Sequence, residues 1–187
     1  MAYGYGFIPI GGIDGRPYNG GTQRFVVLGA DTSDFGVGDF VTLAGTGSTA
    51  GVTAVTGASA TDPILGAVVS IDPIESSSAL WIDGSVELAD RHVNVAVATD
   101  GMLFQCASAS AIAVTSIGLL GDSVVVAPAA PFYKSKSTIS ATVTTSPAQL
   151  QIVGVVQNGK AATASDADLI VRVAEPQMGD AKLSIGA

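Results

Sequence analysis

One cysteine and one histidine in 187 residues exclude a good deal of chemistry. Cys106 has no second thiol with which to close an intrachain disulfide, and one thiol plus one imidazole cannot furnish the closed nitrogen and sulfur set of a structural zinc site. Charge is scarce as well: Asp, Glu, Lys and Arg make up 13% of the chain, roughly half the usual globular share. Sixteen acidic residues against eight basic ones give a formal charge of −8. A phosphate backbone is repelled by such a chain, and only Lys134 and Lys136 lie close together among the cations, so direct nucleic-acid binding is not expected. No apolar run reaches the roughly 18 residues of a membrane span, because Asp, Gly, Ser or Arg interrupts each one. The opening residues lack the basic region and continuous apolar stretch of a secretory signal. A soluble product made in a cytoplasm, with no membrane partner, is the expectation.

Ala, Val, Gly, Ser and Thr fill the space that ions leave, and the mean hydropathy is +0.49. Short β-branched runs recur about every ten residues between turn signals, which is the pattern of a barrel or sandwich. Candidate strands cover residues 24–28, 39–43, 51–56, 64–71, 86–88, 93–98, 102–107, 123–127, 138–143, 150–156 and 169–173. Val, Ile and Thr lose rotamer freedom in a helix and Gly recurs too often, so no long helix is expected. The one helical candidate is a turn near 164–168. Asp14-Gly15, Asp83-Gly84, Asp100-Gly101 and Asn158-Gly159 favour tight turns, with hairpins or bulges expected at the last two. The fold class is therefore all-β: a β-barrel, β-tulip or sandwich.

Residues 1–22 read differently. Six glycines up to Gly20 stand among Tyr3, Tyr5, Phe7, Ile8, Ile10 and Tyr18 without alternation, as in an extended arm preceding a barrel-like domain over residues 23–187. So many large apolar groups must be covered, either by the chain's own barrel or, as the favoured expectation, by a neighbouring subunit. These six side chains are the candidate partner contacts. A loop insertion over 72–84 carries Trp81, expected to anchor on the core or on a partner.

Catalysis by a Ser-His-Asp or Cys-His arrangement would have to run through His92, with Asp90 on the same strand face as its local acid. No Gly-x-Ser-x-Gly elbow accompanies it, and nothing around Cys106 favours a thiolate. Gly154-Val-Val-Gln-Asn-Gly159-Lys160 matches a phosphate loop until Ala161 stands where Ser or Thr must ligate magnesium. Gly45-Thr-Gly47-Ser-Thr-Ala-Gly51 misses the dinucleotide spacing and reads as a loop. Asp31 with Asp34, and Asp166 with Asp168, lack the calcium-loop alternation and read as solvated turns. A non-enzymatic chain with no catalytic, cofactor or metal residues is expected.

Phe7-Ile-Pro-Ile10, Gly38-Asp39-Phe-Val-Thr-Leu43-Ala-Gly45 and Ile64-Leu-Gly66-Ala-Val-Val69 followed by a loop with Trp81 come in a familiar order. They are followed by Asn94-Val-Ala-Val-Ala98, Asp100-Gly-Met-Leu-Phe-Gln105, Leu150-Gln-Ile-Val-Gly154-Val and Leu169-Ile-Val-Arg172-Val. In that order the chain resembles the decoration or cement proteins of tailed-phage heads, including those of cyanophages. The resemblance implies a β-barrel or β-tulip subunit on the capsid exterior, bound to the major capsid protein and often trimeric at three-fold positions. The chain is longer than the smallest lambda-like decoration proteins and adds the aromatic segment. Edge-strand pairing with a capsid-protein segment is a second expected contact. A tail-tube, fibre or adhesin β module is the rival expectation.

Overall fold

The computed structural model describes residues 5–48, 50–73, 80–84, 89–99, 101–126, 128, 135–140, 142–145, 147–156, 167–174 and 176–177. The chain is all-β, and the 3-10 turn Val114–Ser116 is the one helical element among the described residues. Two bodies of strand share it. The first is a closed five-stranded barrel of β2 (Gln23–Val27), β4 (Phe40–Gly47), β5 (Thr53–Gly57), β6 (Gly66–Ile71) and β8 (Arg91–Val97), in the order β2-β5-β4-β6-β8. All its pairings are antiparallel except the single parallel pair Val26 with Ala54 that joins β2 to β5. Two-residue alternation turns Phe25 and Val27 inward from β2 and Val93 and Val95 inward from β8, where Val41, Val55, Leu65 and Val68 complete the filling. Gly66 lets β6 pass close to β8: a Cβ there would stand 2.2 Å from the Ala96 carbonyl oxygen.

The second body is a five-stranded antiparallel sheet ordered β1-β9-β14-β13-β10. Its strands are β1 (Ile8–Gly12), β9 (Met102–Ala107), β10 (Leu120–Gly121), β13 (Leu150–Val155) and β14 (Asp168–Val173). It packs on the outside of the barrel through a core of its own, in which Phe40 is the hinge side chain. Phe40 stacks on Phe7 with ring centroids 3.9 Å apart and meets Phe104 edge-on at 5.4 Å, a geometry that adds about 0.5–1.5 kcal/mol per pair beyond burial. Ile64, Ile139, Leu150, Ile152, Leu169 and Val171 close around these rings. Two ribbons finish the fold: β3 (Phe35–Gly36) pairs with β7 (Trp81–Ile82), and β11 (Ser123–Val124) pairs with β12 (Thr138–Ile139).

Residues 8–12 are thus an edge strand of the chain's own sheet, paired with β9 from Ile8 against Gln105 to Gly12 against Met102. Pro9 and the glycines are compatible with this place because an edge strand leaves one of its sides unbonded. A hairpin at Asp100-Gly101 is corrected. Gly101 has φ +81° and Met102 N donates to Thr99 O at 3.0 Å, so the chain does turn there. The turn carries it from barrel strand β8 to sheet strand β9, which do not pair. The segments at 86–88 and Asn158-Gly159 lie outside the described residues. So does most of the proposed helical turn, and its last residue, Asp168, opens β14.

Buried polar side chains lock the bodies together. Gln149 Nε2 donates to the carbonyls of Ser59 (2.7 Å) and Asp62 (2.5 Å) while its Oε1 accepts from Ser123 N and Oγ. At the seam between β4 and β6, where only Phe40 with Ala67 and Val41 with Gly66 pair, the chain's later residues fill in. Gln177 N donates to Ile64 O, and Gln177 Oε1 accepts from Thr42 Oγ1 at 3.0 Å and Leu43 N at 2.6 Å. Arg91 is 1% exposed, its guanidinium donating to Asp72 O, and Asp72 also receives Arg24 at 2.7 Å.

Candidate functional site

The structure separates the side chains expected to contact a partner. Phe7 is 1% exposed and belongs to the core between sheet and barrel, so it is withdrawn from the set. Tyr5 is half-buried; its hydroxyl donates to Asp168 Oδ1 at 2.8 Å and accepts from Gln105 Nε2 at 3.2 Å. Burial pushes its phenol pKa up, with the neighbouring Asp168 adding to the rise. Tyr18 is half-buried and donates to Gly21 O. Ile8 is 46% exposed and Ile10 half-buried. Tyr3 lies outside the described residues. In the loop over 72–84, Ile82 is the residue that enters the barrel core, and Trp81 beside it stays half-buried.

Other large apolar side chains reach the surface that sequence patterning did not single out. Ile13 is 59% exposed, Ile117 44%, Leu80 37%, and Val124, Val125 and Val126 between 36% and 42%. The exposed valines were missed because residues 123–127 read as one paired strand, whereas among the described residues only Ser123 and Val124 pair.

Beside the valines lies the most elaborate buried polar cluster. Asp39 is 1% exposed; its Oδ2 accepts from Gly36 N at 2.8 Å, and its Oδ1 accepts from Ser137 Oγ at 2.5 Å and from Ser135 Oγ. Burial raises the Asp39 pKa, and the three hydrogen bonds offset part of that rise. Ser137 Oγ accepts in turn from Val126 N at 3.1 Å. Gly38-Asp39 was legible as a strand start; the distant Ser135-Lys136-Ser137 as its donor pair was not.

His92 and Asp90 do not form a dyad. Asp90 Oδ1 accepts from Gly29 N at 3.0 Å, and His92 Nδ1 is buried with no hydrogen-bond partner among the described residues. Cys106 is fully buried in the inter-body core, and desolvation pushes its thiol pKa up, leaving little thiolate at neutral pH. Asp31 and Asp34 are occupied with backbone amides, of Ser33 and Gly84 respectively. No group of three His, Cys, Asp or Glu that could hold a metal occurs among the described residues. A cleft of about 380 Å³ opens where Ile13, Arg16 and Tyr18 face Thr99 and Met102, and a hollow of about 280 Å³ lies between Leu28, Ala30, Ala44 and Val55. Neither is lined by His92, Asp90 or Cys106. Comparison of the chain with family models, with curated proteins and with solved structures finds no match.

Proposed function

We propose that this chain is a capsid cement or decoration protein, binding the outer surface of a tailed-phage head and bridging neighbouring copies of the major capsid protein as a homo-oligomer, with a trimer as the arrangement the resemblance implies. The observation that carries the reading is the pairing of a charge-poor surface with exposed large aliphatic side chains, Ile13 at 59% and Ile8 at 46% foremost. Such side chains in water are a standing cost that cover by a partner removes. The −8 charge suits an exterior position away from packaged DNA and keeps free copies apart.

The mechanism is linkage. A protein that binds the assembled lattice and not its separate subunits stabilises the lattice, by about 2.7 kcal/mol per site when present at a hundredfold excess over its Kd. The test is sedimentation of the purified chain with heads assembled without it, followed by electron microscopy of the labelled particles. Head-wide labelling with no binding to unassembled capsid subunits is the expected result. Labelling confined to tails, or none at all, would overturn the proposal.

A further inference from the structure

We infer that the cleft between the loop over 13–19 and the turn over 99–102 is a binding site for a neutral saccharide, with Tyr18 as the surface on which a sugar ring rests and Arg16, Asp14, Asn19 and Thr99 as partners of its hydroxyls. The inference goes beyond the proposed function and does not rest on it. Its test needs no heads, so either can fail alone.

The first observation is that both walls of the cleft are tied in place. Gly12 N donates to Arg16 O at 2.8 Å and Tyr18 N to Ile10 O at 3.0 Å, which fold the loop back on β1. Ile13 N donates to Gly101 O at 2.8 Å, which joins the loop to the turn. Within the loop, Gly15 N donates to Gly12 O, and Asn19 Oδ1 accepts from Gly21 N at 3.0 Å. Gly11 admits no side chain here, since a Cβ would stand 2.4 Å from Arg16 O. The opening of about 380 Å³ is at the small end of the range that ligand pockets occupy. A site braced before its ligand arrives loses little freedom on binding.

The second observation is the chemistry of the lining, which selects the class of ligand. Among the described residues that line the cleft, Arg16 is the one cation and Asp14 the one anion. They meet each other: Arg16 Nε stands 3.1 Å from Asp14 Oδ2, and Arg16 N donates to Asp14 Oδ1 at 3.2 Å. A matched pair attracts neither a phosphate nor an ammonium through net charge. Hydrogen bonding is what stays available. The two terminal nitrogens of Arg16, Nδ2 of Asn19 and Oγ1 of Thr99 have no partner among the described residues, and the Asp14 carboxylate keeps lone pairs for further donors. Donors and acceptors side by side suit hydroxyls, which both give and take hydrogen bonds, and the planar fork of an arginine matches two adjacent oxygens. Tyr18 and Met102 add the apolar half of the lining. The Tyr18 hydroxyl is engaged with Gly21 O at 2.9 Å, which fixes the ring, and an aromatic face is electron-rich and attracts the weakly positive C–H face of a pyranose. An apolar peptide segment in the same place would cover these donors without pairing them, at a cost to binding.

The experiment follows backbone amide signals of the full chain by nuclear magnetic resonance during titration with the methyl glycosides of glucose, galactose, mannose and N-acetylglucosamine. Glucuronic acid and glucosamine serve as charged probes. At least one neutral glycoside is expected to shift the amides of Gly12, Ile13, Thr99 and Met102 saturably, with a Kd on the order of 1 mM, and neither charged probe to bind more tightly. Arg16→Ala and Thr99→Val, both at exposed positions, should each weaken binding roughly three- to tenfold. Tyr18→Leu, which keeps bulk without an aromatic face, should abolish it. Ile117→Ser, just before β10 at the opposite edge of the sheet, should leave it unchanged. No saturable shift with any neutral glycoside, tighter binding of a charged probe, shifts centred away from the cleft, or binding that survives all three cleft substitutions would overturn the inference.

Discussion

Two residues carry opposite lessons about reading side chains from sequence. Phe7 looks like Tyr3 and Tyr5 in its glycine-rich setting, yet it is a core residue stacked on Phe40. Phe7→Ala should therefore lower unfolding free energy by about 3–5 kcal/mol in a denaturant titration, whereas a residue held ready for a partner would leave it unchanged. Ile8→Ser, one position along and 46% exposed, should change stability by less than about 0.5 kcal/mol. Asp39 gives a pH-dependent prediction. Its folded pKa is raised by burial, so the folded state holds the proton more tightly than the unfolded state does. The contribution from this group is therefore fully present below the ordinary carboxylate pKa and is lost as pH rises through the folded value. Comparison of wild type with Asp39→Asn across that range should show wild type losing ground as pH rises; the opposite trend would mean that the three donors outweigh desolvation.

The strands were largely legible because the cue is local. Alternation of β-branched residues placed β4, β6, β8, β9, β13 and β14 to within a few residues, and the all-β class followed. What local pattern could not supply was partner choice. Nothing in Met102–Ala107 distinguishes pairing with β8, which the Asp100-Gly101 turn favours, from pairing with β1 and β14, which occurs because Phe104 and Cys106 are needed in the core against Leu150 and Leu169. The two-residue strands β3, β7 and β10 are too short for any periodicity and exist through tertiary contacts alone. Long-range polar links are equally silent in sequence. Gln149 satisfies two carbonyls of the 59–62 turn and the backbone and hydroxyl of Ser123. Gln149→Ala would leave the buried Ser123 amide and hydroxyl without their acceptor and should cost about 1–3 kcal/mol by thermal or chemical unfolding, beyond the loss of an ordinary surface glutamine.

At the scale of the whole molecule, a barrel and a sheet share one aromatic seam, and the large aliphatic side chains left outside it lie on a surface with few ions. The candidate contacts were only partly legible: aromatic content pointed to the first residues of the chain, and packing then drew Phe7 inward and left Ile8, Ile13 and the valine strip outside. The central claim is that these surfaces exist to be covered on an assembled shell. Calorimetry of heads prepared without the chain, repeated after its addition at increasing concentration, tests this most directly. The account predicts a shell transition that moves to higher temperature as the added protein rises and then levels off at full occupancy. A transition that stays fixed while the protein is demonstrably bound, or protein that melts as an independent unit without binding at all, would contradict it.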